Sequence, residues 1–185
     1  MLSDTILRIL LRLPSQALSS ASPRIMASSF ASASRLGYSI VTATLRDGLI
    51  QAFPVNGTVT VANEQPSTEA VIVYSYGGSK LSTNLKAITD VMTLQAQKEL
   101  QKAGQPAGPG SAKTIGLKVD VLLSEYVAFS WKSHSEFTAR LGDGQTLKFN
   151  VRHASGVLAQ DLNGCIAEGV MTLLNDARVK AYLAQ

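Results

Sequence analysis

From Ile115 to Trp131 apolar side chains fall on alternate positions: Ile115, Leu117, Val119, Val121 and Leu123, then Val127, Phe129 and Trp131, with Glu125 the break. Period two is the side-chain period of a strand with one face in a core and the other in water. A helix would scatter the same residues around its circumference, so this stretch commits the chain to a sheet. An unbroken strand of this length would span roughly 56 Å at about 3.3 Å per residue, long for a small domain. A bend or bulge is therefore expected near Ser124 and Glu125, with the far half projecting as a hairpin arm.

The alternation continues. After a turn expected at Lys132 to Ser135, Phe137, Ala139 and Leu141 again hold odd positions. Gly142-Asp143-Gly144 is the strongest turn signal in the chain, because Asp-Gly supplies the positive φ that tight hairpins require. Leu147, Phe149 and Val151 complete a third strand, so Ile115 to Arg152 reads as an antiparallel meander with one apolar face.

That face needs a cover, and two helical stripes supply it. Leu158, Leu162, Ile166, Val170 and Leu174 recur every four residues, widened by Val157, Leu173 and Ala177. Earlier, Leu81, Leu85, Ile88, Met92, Ala96 and Leu100 recur at steps of three and four, and a cap is expected among Ser79, Ser82 and Thr83. Val59 and Val61 mark a short strand ending at Asn63, and Val71 to Tyr76 a second strand stopped by Gly77 and Gly78. Ala103 to Ser111, with three glycines and two prolines, reads as a breaker loop. Val179, Tyr182 and Leu183 form a short closing segment. The expected fold is α+β: two layers, with a mainly antiparallel sheet and two long helices packed on one face.

The length of 185 residues suits one domain and an appendage. The boundary shows in the charge. Residues 1–46 hold Arg8, Arg12, Arg24, Arg35 and Arg46 against Asp4 alone, whereas the rest carries equal numbers of basic and acidic side chains. Residues 1–45 are thus read as a disordered, targeting or mis-started segment, and 46–185 as a single α+β domain. Thr5 to Leu13 is a short basic amphipathic stretch closed by Pro14, followed by a serine- and alanine-rich run without acids, the composition of a transit peptide or a membrane-surface anchor. Leu36 to Ala52 is a poor secretory h-region, or else a first strand from Ile40 to Leu45. No run approaches the roughly 18 apolar residues of a spanning helix. The balanced domain has no field to draw a phosphate backbone, which argues against nucleic acid as a partner.

Little in the domain points to catalysis. Cys165 is the single cysteine and lies beside an apolar stripe, where a thiol acts as a small hydrophobe. His134 in a turn and His153 at a strand end have no metal-ligand spacing and suit surface or capping roles. Asp161, Glu168 and Asp176 are read as a solvated helix face, and Gly77-Gly78 lacks the residues of a phosphate loop. No catalytic, cofactor or metal site is expected. Tyr126, Phe129 and Trp131 cluster toward the end of the long hairpin and form the candidate partner surface, with packing against the helices the ordinary alternative.

The order of elements, the alternating Leu117-Lys118-Val119-Asp120-Val121, the turn Gly142-Asp143-Gly144, and the closing helix from Leu158 through Asn163, Ile166 and Leu173-Leu174 to Asp176-Ala177-Arg178-Val179 resemble the YajG-type family of small bacterial envelope lipoproteins over about residues 57–183. The resemblance implies a non-catalytic periplasmic or outer-membrane-associated domain that binds another envelope component or itself, with peripheral membrane association. Members begin with a signal that ends in an acylated cysteine, and no cysteine precedes Cys165. The resemblance therefore implies an unlipidated member or a different start. An organelle-imported accessory subunit with a cleaved leader, or a small-ligand-binding protein with a site between helix and sheet, are the alternatives.

Overall fold

The computed structural model describes residues 45–185. The basic amphipathic stretch, the serine- and alanine-rich run and most of the candidate first strand lie outside the described residues. The described elements are β1 (Phe53–Asn56), β2 (Val59–Asn63), β3 (Ala70–Tyr76), β4 (Ser79–Asn84), α1 (Leu85–Ala103), β5 (Gly104–Gly108), β6 (Lys113–Val127), β7 (Ser130–Leu141), β8 (Thr146–Ser155), α2 (Leu158–Asn175) and α3 (Ala177–Leu183). The class is α+β. The larger sheet runs β4-β3-β6-β7-β8, with β2 also on β6, and a separate ribbon pairs β1 with β5. The β6-β7-β8 meander forms as its alternation predicts, and the Gly142–Gly144 turn closes with the Gly144 amide on the Leu141 carbonyl at 2.9 Å. The sheet is nonetheless mixed, since β2 and β3 both pair with β6 in parallel.

The structure departs from five local expectations. The segment after Gly77-Gly78 is a strand, not a helix start. Both glycines take positive φ, +57° and +80°, so the chain reverses at once into β4, which carries Leu81. The helix begins at Leu85, and its cap is Asn84, whose side chain accepts the Ala87 amide at 2.7 Å. The breaker-rich segment is no loop in its first half: Gly104–Gly108 pairs with β1, an edge ribbon where Pro106 is tolerated. In β6 the irregularity falls at Asp120, between the pairs Val119–Phe137 and Val121–Glu136. One extra residue exchanges the faces, so Ile115, Leu117 and Val119 are buried before it and Leu122 and Ser124 after it. Glu125 therefore points outward. Finally, β6 stops at Val127 and reverses through Ala128 and Phe129, both at positive φ, which puts Trp131 on β7 and leaves no turn at 132–135.

The core lies between sheet and helices. Ile88, Met92, Ala96 and Leu100 of α1 and Leu162, Ile166, Val170 and Leu173 of α2 are buried, as are Phe137, Ala139 and Leu141 on β7. Burial of the larger of these side chains is worth about 1.5–3 kcal/mol each. α1 packs on β6 and β2, α2 packs on β7 and β8, and the helices touch. At their contact a side chain on Gly169 would stand 3.0 Å from Met92 Cε and 3.2 Å from Phe137 Cε1. The closing segment docks through Tyr182, whose hydroxyl accepts the Thr114 and Gly142 amides at 3.1 Å each and donates to the Thr114 carbonyl at 3.2 Å.

Along its outer edge β6 is paired by β2 as far as Leu117 and by β3 at Ser124. Side chains fill part of the interval. Gln65 Nε2 donates to the Val119 carbonyl at 2.7 Å, and Thr89 Oγ1 of α1 accepts the Val119 amide at 3.1 Å. Both polar groups of buried Val119 are thus satisfied on the side where no strand pairs with it.

Candidate functional site

Two features adjoin at the far end of the meander. The first is polar and lies within. The shifted register brings Ser124, Ser133 and His153 side by side across β6, β7 and β8, and Asp161 in the first turn of α2 descends onto them. Its carboxylate, fully buried, accepts from Ser124 Oγ at 3.0 Å, from Ser133 Oγ and from His153 Nδ1 at 3.1 Å. A carboxylate only accepts, so Nδ1 carries the proton toward it. Three donors from three strands thus converge on one carboxylate at the start of α2. Asp161 is therefore no solvated helix residue, and His153 is more than a surface or capping group. Asp161 sits three residues after Leu158 and four before Cys165, inside the buried stripe, and that spacing was the signal for it.

Serine, histidine and aspartate together invite a nucleophilic reading, but the geometry is wrong. An activated serine needs its hydroxyl on the imidazole, with the carboxylate orienting the far ring nitrogen. Here both hydroxyls are spent on the carboxylate itself. Cys165, one turn further along α2, is buried, and burial, with Asp161 and Glu168 adding to it, pushes its thiol up to about 12. The protonated thiol is a poor nucleophile at neutral pH. A shallow depression of about 600 Å³ lies on the solvent face of the meander, where Lys118 is paired with Asp120 at 2.8 Å and Asn150 with Glu136 at 3.3 Å. Among the described residues no group of three His, Cys, Asp or Glu is placed to hold a metal, and no helix is long and apolar enough to cross a membrane.

The second feature is apolar and outermost. Tyr126 and Trp131 are partners across β6 and β7, with ring centroids 4.7 Å apart. Tyr76 flanks Tyr126 at 5.4 Å, and Tyr74 meets Trp131 edge-on at 4.7 Å. Of the three residues named from sequence, two belong to this half-buried aromatic row. Phe129 stands apart from them at the apex of the turn and is 92% exposed. Trp131 packs on β3, an environment that the sequence did not indicate. Exposed Tyr76, Val127 and Val157 surround the apex on three chain reversals that share this end of the sheet.

No protein-family model matches this sequence, and no curated protein does. Among solved structures it is similar to a neuraminyllactose-binding hemagglutinin homolog from Helicobacter pylori, at 7% identity and a TM-score of 0.32, over 80% of this chain and 96% of that one.

Proposed function

We propose that the chain is a non-catalytic accessory domain of the cell envelope that binds another component through the hairpin end of its sheet, the role implied by its resemblance to the YajG-type lipoproteins. Phe129 carries the reading: a large aromatic side chain stands almost wholly in water at a turn whose backbone disfavours it. Turns with two positive-φ positions favour Asn-Gly, and a phenylalanine there gains nothing within the fold. The interior supports the same reading, because the Asp161 carboxylate is held by three hydrogen bonds and the Cys165 thiol is buried and protonated.

Fractionation of cells that express the chain with its native upstream region tests this. Wild type is expected with the envelope, and Phe129→Ser is expected to be released in large part. Recovery of the wild type wholly in the cytosol would contradict the proposal.

A further inference from the structure

We propose that the component met by the hairpin end is a lipid surface, with Phe129 and Val127 entering the interfacial layer, Tyr126 and Trp131 at headgroup depth, and Lys132 and Lys80 at the phosphates. The inference rests on the binding role proposed above and names its partner. Three reversals lie together at this end, at residues 76–79, 127–130 and 155–158, and none holds a charged residue. Four apolar side chains at these reversals, Tyr76, Val127, Phe129 and Val157, are exposed.

Behind the apex the residues follow the order of a membrane interface. Phe129 is outermost, the Tyr126–Trp131 pair comes next, and charge first appears one pair further back, at Glu125–Lys132, with Lys80 at the corresponding level on β4. At about 3.3 Å per residue, Lys132 stands about 10 Å behind Phe129, close to the depth that interfacial segments reach. Tyrosine and tryptophan are the side chains that match a boundary with one apolar and one wet side. The left-handed backbone at Ala128 and Phe129 holds the ring outward, where a relaxed Asn-Gly turn would present nothing apolar.

Trp131 is the sole tryptophan of the chain, so its emission reports on this end alone, whatever the basic N-terminal segment does. The full-length protein is mixed with phosphatidylcholine–phosphatidylglycerol vesicles, with and without a bromine label on the upper acyl carbons. Trp131 emission is expected to shift to the blue and to be quenched by the brominated lipid. Phe129→Ser is expected to weaken this binding about ten-fold or more, and Phe129→Leu to retain most of it. Sedimentation with vesicles but no quenching of Trp131 would overturn the inference. Phe129-dependent association with a protein, again without quenching, would overturn the lipid assignment and leave the binding role standing. No Phe129-dependent association with either would overturn both.

Discussion

His153 and Asp161 meet beneath the first turn of α2, imidazole Nδ1 3.1 Å from a carboxylate oxygen, with the carboxylate fully buried and the imidazole partly open to solvent. This contact and the two serine hydroxyls tie the start of α2 to three strands at once. Asp161→Ala leaves three donors without their acceptor and is expected to cost about 3–5 kcal/mol in urea unfolding. Asp161→Asn keeps an acceptor oxygen and should cost about 1–2 kcal/mol. A loss below about 1 kcal/mol for the alanine variant would show that the cluster does not hold the helix.

The turn at the apex joins a strained backbone to an exposed aromatic ring. Replacing Ala128-Phe129 by Asn-Gly relieves two left-handed non-glycine residues, at φ +50° and +64°. The double variant is expected to be about 1 kcal/mol more stable in denaturant and to lose association through the hairpin end. A variant that is less stable than wild type would mean that Phe129 serves the fold.

Much of the architecture was legible because the alternation of the meander and the stripes of the two helices are signals averaged over many residues. Single-residue events decided the rest. The extra residue at Asp120 exchanges the faces of β6, yet the sequence continues to alternate through it, so the pattern puts Phe129 and Trp131 on one strand although a turn separates them. That turn was illegible because neither Ala128 nor Phe129 is a residue that favours positive φ. The charge of Asp161 argues for a solvated position, although its spacing from Leu158 and Cys165 puts it among buried ones. The aromatic row was half legible: Tyr126 and Trp131 were visible, but Tyr74 and Tyr76 reach them only because β3 joins β6 in parallel, a long-range pairing with no local signature.

The stopgap along β6 yields its own test. Thr89→Val preserves shape but removes the acceptor of the Val119 amide, and Gln65→Leu removes the donor to its carbonyl. Each is expected to cost about 1–3 kcal/mol, with Val119 amide exchange accelerated in Thr89→Val, as read by hydrogen-exchange NMR. Unchanged exchange at Val119 would show that the strand does not depend on Thr89.

The thiol of Cys165 predicts a pH dependence. Its folded value, about 12, is above the unfolded 9.0, so the folded state holds this proton more tightly. The resulting stability is complete below pH 9 and is lost as the pH rises toward 12. Between pH 8 and pH 10.5 wild type should therefore lose more stability than Cys165→Ala, and native Cys165 should resist alkylation until the chain unfolds. Equal slopes for the two proteins would contradict this.

The proposed binding role puts the working surface of the molecule at the end of its sheet that carries Phe129. Hydroxyl-radical footprinting of Phe129 measures this directly when purified protein is compared with protein in its native cells, with exposed Leu94 on α1 as the internal reference. Phe129 should be oxidised readily in the purified protein and protected several-fold in cells, while Leu94 reacts alike in both. Equal oxidation of Phe129 in the two settings, or protection confined to Leu94, would contradict it.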